Sequence, residues 1–269
     1  MSGRLPKRST RRPRANTGSK RSGGPRLRAG DGTTFTAPEW LGDDRVFTPL
    51  GYEPGYDYPL LVWLSDPAGR PFDLGRVMRR LSLRNFLAVQ PTASAADDSG
   101  GVPAGNREAG IWRAIDRVCE RASVHPDRIY LIGHGTAGSD AFRIACRHPQ
   151  AFAGVISLGG HFPLSESLFS RLHDVRRLPM LLCCHRMESR RLEENAALLT
   201  ETGRSDGPHD IAAQTDRTLR LFHAAGAMLA LRIYPGSNDL SKAILGDVNR
   251  WLMDEVCGTS KPLRSICAS

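Results

Sequence analysis

The sequence predicts an α/β protein: a mostly parallel sheet with helices on both faces. Three observations carry that prediction. Short apolar runs alternate with helix-length amphipathic stretches along most of the chain, the pattern of strand–helix–strand crossovers. The runs are continuously apolar rather than alternating, as in Leu60-Leu61-Val62-Trp63-Leu64, which is how a strand buried on both faces reads. Finally, Ile129-Tyr130-Leu131-Ile132 leads directly into Gly133-His134-Gly135-Thr136-Ala137-Gly138 and then a helical stretch from Ser139 to about Cys146. Strand, tight glycine turn and helix follow one another there without a linker.

Each element has its own justification. Residues 31–57 are turn-rich, with aromatics at Phe35, Trp40, Phe47, Tyr52 and Tyr56, and are expected to form an irregular edge packed on the sheet. Residues 60–64 read as a central strand. Asp73 to about Arg84 reads as a helix with Leu74, Val77, Met78 and Leu81 on one face and Asp73 as its cap. Phe86-Leu87-Ala88-Val89 is a strand stopped by Pro91, and 92–105 a polar surface loop. Ile111, Ile115, Val118 and Ala122 form the buried stripe of a helix from about Arg107 to Ser123, and residues 125–128 lead into the strand at 129. Beyond the glycine turn come a strand at Gly154–Leu158, a loop or short helix over 161–177, and a strand at Met180–Cys184. A charged irregular stretch over 189–210 follows. A helix from Ile211 to about Ala225 ends at Gly226, a strand runs Leu229–Tyr234 and breaks at Pro235-Gly236, and a last helix covers Ala243 to about Val256.

The chain has 269 residues and a net charge of +9, but the charge is unevenly placed. Residues 1–30 carry Arg4, Lys7, Arg8, Arg11, Arg12, Arg14, Lys20, Arg21, Arg26 and Arg28 and no acid. That leaves 27 of the 37 basic residues against all 28 acidic ones, a net of −1 for the remainder. The expected organisation is a disordered Arg-rich tail (1–30), one α/β domain (31–258) and a short C-terminal tail (259–269). The N-terminal tail has too little apolar content to offset the entropy of ordering. Two roles stand open for it: a solubilising tail, or a weak contact with nucleic acid or another anionic surface. Cys119, Cys146, Cys183, Cys184, Cys257 and Cys267 show no C-x-x-C spacing and are expected to be buried free thiols in a reducing compartment; pairing of Cys257 with Cys267 is left open. No stretch has the length and apolarity of a membrane span, so the expected location is cytoplasmic. The oligomeric state is not legible.

Residues 129–138 have the frame of a nucleophile elbow, G-x-S-x-G, with Gly133 and Ala137 as the flanking small residues. Together with Tyr58-Pro59-Leu60-Leu61-Val62-Trp63-Leu64, Leu178-Pro179-Met180-Leu181-Leu182 and Tyr234-Pro235-Gly236, they make the chain resemble the α/β-hydrolase superfamily. The likeness spans about residues 45–257. It lies in the small carboxylesterase/phospholipase branch, near polyhydroxyalkanoate-depolymerase-like esterases. The resemblance implies an α/β-hydrolase fold and a nucleophile, acid and histidine in that chain order. It places the nucleophile at Gly135. It places the acid at Ser189, within His185-Arg186-Met187-Glu188-Ser189, and the histidine at Asn238, within Tyr234-Pro235-Gly236-Ser237-Asn238-Asp239. The His-Gly pair that follows the first parallel strand in the family, and helps to build the oxyanion hole, is Ser65-Asp66 here. Gly, Ser and Asn cannot supply a nucleophile, an orienting acid and a base.

Two classes of function follow. In the first, the chain is a non-catalytic α/β-hydrolase-fold protein that binds a small acyl or anionic ligand, or a partner, in the old cleft. Ser65, Asp66, His134, Gly135 and Thr136 are the candidate contacts. In the second, it is an esterase with a relocated nucleophile and base. Ser139 is the best surrogate, within Ala137-Gly138-Ser139-Asp140-Ala141, but it sits four residues past Gly135, about 6 Å along a helix. The first class is preferred. His134, His161, His185 and the His209-Asp210 pair are weaker candidates for a displaced base, and no histidine spacing supports a metal site. Gly133-x-Gly135-x-x-Gly138 matches the dinucleotide fingerprint. The acid expected about twenty residues on is missing, however, and two strands precede the motif instead of none, so no cofactor is expected.

Overall fold

A computed structural model describes residues 39–66, 71–92, 104–160, 172–185, 220, 222–224, 226–235 and 240–258. The elements, in chain order, are β1 (Glu39–Leu41), β2 (Asp44–Phe47), β3 (Tyr58–Leu64), α1 (Leu74–Leu81), β4 (Leu87–Gln90), α2 (Ala104–Arg121), β5 (Val124–His134), α3 (Ala137–Arg147), β6 (Gly154–Leu158), α4 (Leu172–Val175), β7 (Met180–His185), β8 (Leu229–Tyr234) and α5 (Lys242–Cys257). Both predicted tails, the charged stretch at 189–210 and most of the helix predicted over 211–225 lie outside the described residues.

The continuous apolar runs become the parallel strands. The sheet has eight strands in the order β1-β2-β4-β3-β5-β6-β7-β8, parallel from β4 through β8. β3 is buried at every position and lies between β4 and β5. Its side chains alternate between two cores. Leu60, Val62 and Leu64 join residues of α2 and α3 on one face, whereas Leu61 and Trp63 join residues of α1 and α5 on the other. That division is the observed form of the expected helices on both faces.

The first expectation to be corrected is the irregular edge over 31–57. Its described part contains a hairpin, β1 against β2, joined across Gly42 at φ 64° and paired antiparallel to β4 through β2. These strands are three and four residues long, and Asp44 and Arg45 break the apolar pattern, so no run stands out in the sequence. Asp44 is only 5% exposed, yet it is fully used: it accepts from the Thr92 backbone N–H at 3.0 Å and pairs with Arg117 on α2 at 3.0 Å.

Helix ends follow capping chemistry. The Asp73 side chain accepts from the Arg76 N–H at 3.1 Å, and α1 ends at Leu81 because Ser82 is extended, three residues before the predicted limit. α5 is capped by Ser241 and closed by Gly258 at φ 66°, a left-handed residue that glycine adopts without a Cβ penalty. The strand predicted from residue 129 instead begins at Val124. Residues 125–128 therefore belong to β5, and its pairing with β3 shifts register between Tyr58 and Leu60.

Candidate functional site

β5, the following turn and α3 meet at the C-terminal edge of the sheet, where open α/β sheets hold their ligands. The turn is tight. Gly135 has φ 61°, donates its N–H to the Leu158 carbonyl at the end of β6 at 2.8 Å, and accepts from the Gly138 N–H at 2.9 Å. The flanking glycines leave no room for a side chain. A Cβ on Gly133 would lie 2.2 Å from the Ala137 carbonyl oxygen, and one on Gly138 would lie 2.1 Å from Ser157 Oγ. α3 begins at Ala137, two residues before the predicted Ser139, because the turn feeds straight into it.

The centre of the site is Asp66, two residues past the end of β3. Its carboxylate faces the turn. Oδ1 accepts from the Thr136 hydroxyl at 2.8 Å, and Oδ2 accepts from the Thr136 backbone N–H at 3.2 Å. Thr136 occupies the N-cap of α3, but its hydroxyl makes no capping bond and serves Asp66 instead. A Cβ placed on Gly135 would lie 2.6 Å from Asp66 Oδ2, so the carboxylate occupies the space beside Gly135 into which a side chain would grow. In a nucleophile elbow, the backbone N–H after the nucleophile is an oxyanion-hole donor. By position that donor is the Thr136 N–H, and here it already holds a carboxylate. The next donor of the turn also has an internal acceptor: the Ser139 N–H donates to the Thr136 carbonyl at 3.1 Å.

The remaining sequence candidates separate. Ser65, Asp66, His134, Gly135 and Thr136 all lie at this edge of the sheet, but Ser65 turns away from the others. Its hydroxyl accepts from Gln90 Nε2 at 2.5 Å, on the β4 side. His134 ends β5 and packs edge-to-face on Phe72, with ring centroids 5.7 Å apart. Ser139 lies on the first turn of α3. His185 is buried at the end of β7, 6.4 Å from the Tyr234 ring. Ser189, Asn238, His161, His209 and Asp210 lie outside the described residues, as does Cys267. Asp66 as an occupant of the turn is what sequence reasoning missed. The resemblance singled out its position, but not the direction in which its carboxylate points. Among the described residues no group of three or more His, Cys, Asp or Glu side chains could hold a metal ion.

Cys146 and Cys183 are buried as expected, whereas Cys119 and Cys257 are exposed, and neither buried thiol is an activated nucleophile. Burial pushes the Cys146 thiol from its ordinary 9.0 up to about 12. Burial first, opposed by a hydrogen bond with Tyr234, leaves Cys183 at about 12 as well. The thiolate is the reactive form, so both should resist iodoacetamide in the native protein at pH near 8 and react after denaturation; native-state labelling followed by mass mapping checks this. The sign for stability follows. A raised acid pKa favours the neutral thiol in the fold, so this contribution is complete below 9.0 and is lost as pH rises towards about 12.

This chain is similar to known proteins in fold over most of its length and in sequence over a short stretch. No family model matches it. A stretch of 49 residues, 18% of this chain, is 43% identical to "Putative esterase NocK" of Nocardia uniformis subsp. tsuyamanensis, and spans only 14% of that protein's length. A ferulic acid esterase superposes with a TM-score of 0.54 at 15% identity, over 79% of this chain and 92% of its own. Est1E from Butyrivibrio proteoclasticus gives 0.52 at 10% identity, over 80% and 94%. A thermostable esterase gives 0.51 at 15% identity over 78% of this chain, which covers 58% of that enzyme. Among the described residues no helix is long and apolar enough to cross a membrane. The parallel strand order, the strand–turn–helix at 124–147 and these superpositions together establish that the chain has the α/β-hydrolase fold and is similar to esterases that share it.

Proposed function

We propose that this protein is a non-catalytic α/β-hydrolase-fold protein that binds a ligand or partner at the C-terminal edge of its sheet and has no serine-hydrolase activity. One observation carries the reading: Asp66 fills the space beside Gly135 and takes the Thr136 N–H. An acyl transfer there needs a nucleophile at the turn and a donor free to meet the developing oxyanion. Glycine offers no nucleophile, and a fixed carboxylate repels an oxyanion as well as occupying its donor. By resemblance, the acid and base positions hold Ser189 and Asn238, which supports the same reading. On this account the protein is a pseudo-enzyme whose ancestry is esterase-like.

Similarity to esterases favours a second reading, in which Ser139 on α3 acts as a relocated nucleophile with a base from elsewhere. Turnover of short-chain acyl esters separates the two. Purified protein is expected to hydrolyse them no faster than a denatured control, and Gly135→Ser alone should restore nothing while Asp66 remains. Saturable turnover that disappears in Ser139→Ala would sink the first reading and establish the second.

A further inference from the structure

We infer that the chain carries a binding site for a small organic carboxylate in a cleft on the β4 side of the sheet edge, away from the turn at Gly135. The inference deepens the binding role proposed above and rests on it. The cleft has a volume of about 260 Å³ and opens between the β1–β2 hairpin, the ends of β3 and β4, and the first turns of α2. Two of its lining residues are arginines, Arg45 and Arg107, and no described lining residue is acidic.

The two arginines are differently placed: Arg45 has no carboxylate partner among the described residues, and Arg107 shares one. The Arg45 guanidinium lies 5.0 Å from the ring centroid of Trp40 and bonds to no carboxylate among the described residues. Arg107 pairs with Asp140 at 2.7 Å, but Asp140 also holds Arg143 at 2.7 Å, so the trio keeps one net positive charge. Arg107 is held in place by that pair with its side chain only 12% exposed, and a guanidinium fixed at a cleft wall is suited to bidentate recognition of a carboxylate.

A second and independent observation points to a ligand. Gln90 lines the same cleft. Its Nε2 donates to Ser65 at 2.5 Å, whereas its Oε1 is buried and has no hydrogen-bond partner among the described residues. Ser65 satisfies one end of the amide only. A buried acceptor without a donor is destabilising, and a ligand hydroxyl or amine hydrogen would relieve it. The rest of the wall includes Leu64, Pro71 and Ile111, which suit an apolar body, and Trp40 stands 63% exposed at the rim. The ligand chemistry is therefore a carboxylate, an apolar body and a hydrogen-bond donor at the far end. The turn itself is a poorer anion site, because Asp66 already holds the Thr136 N–H.

The test uses para-hydroxyphenylacetate with the full-length protein, followed by calorimetry and by amide chemical shifts. Tyrosol, its uncharged counterpart, tests the charge, and inorganic phosphate tests charge without a body. The expected result is saturable binding of the acid, with shifts at Arg45, Thr92 and Gly110 and weaker or no binding of both controls. Arg45→Gln should weaken affinity about tenfold or more, while Ser139→Ala leaves it unchanged. Arg45 is half-buried at the surface, and its variant should melt as wild type does; the wild-type shifts need no variant at all. Three results would overturn the inference: no saturable binding at millimolar acid, shifts confined to Gly135 and Thr136, or tyrosol binding as tightly as the acid. The probe has no ester bond, so its failure is distinct from a failure of the non-catalytic reading, which would show as ester turnover.

Discussion

Gly133→Ala is expected to destabilise the fold by about 3 kcal/mol or more, the largest loss of any single methyl addition at the turn. The new Cβ would lie 2.2 Å from the Ala137 carbonyl oxygen and 2.5 Å from both Ala137 C and Gly138 Cα. All three are backbone atoms of the first turn of α3, so no rotamer change relieves the contact. Relief requires α3 to move off the end of β5, and α3 is the helix that buries Ala141, Phe142 and Ala145 against the sheet. Urea denaturation of wild type and variant side by side measures the effect. A midpoint unchanged within error would mean that the strand-to-helix turn is more open than the structure has it.

Gly135→Ala is expected to cost roughly 1–3 kcal/mol, although alanine ordinarily stabilises by restricting the unfolded chain. Two separable causes add. At φ 61° any Cβ is strained, and this one would also meet Asp66 Oδ2 at 2.6 Å. Asp66 is the far end of a side chain and can withdraw, but only by giving up its two bonds to Thr136. The causes come apart in a double-mutant cycle. In an Asp66→Ala background the backbone strain remains and the collision is gone, so Gly135→Ala should cost less there, with a coupling of about 0.5–3 kcal/mol. Strict additivity would show that the carboxylate does not lie against Gly135. A raised midpoint for Gly135→Ala alone would mean that the residue is not in the left-handed region.

The parallel half of the fold was legible because burial on both faces writes itself as continuous apolar runs: β3, β6 and the start of β7 need no other signal. The glycine turn was legible because an apolar run leads straight into the Gly133–Gly138 stretch and a helix. The β1–β2 hairpin was not. Its buried Asp44 is satisfied by partners distant in sequence, Arg117 and Thr92, and no local pattern reports such pairing. The site was half legible. The positions Gly135, Ser65 and Asp66 could be singled out from the resemblance. That Asp66 reaches back to Thr136 depends on β3 and β5 being neighbours in the sheet, and on a cap residue that spends its hydroxyl outside its own helix. The cleft beside Arg45 and Arg107 was invisible for the same reason: its wall is assembled from a hairpin, two strand ends and a helix that the sequence keeps far apart.

The measurement that bears most directly on the non-catalytic reading is labelling of the native protein with a fluorophosphonate serine probe, read by intact mass and peptide mapping. An activated serine needs a base within hydrogen-bond reach and donors waiting for the phosphoryl oxygen. With Gly135 at the turn and Asp66 on the Thr136 N–H, no adduct is expected beyond that of a heat-denatured control. A stoichiometric adduct on Ser139, or on any other serine, that forms only in the folded protein would contradict it.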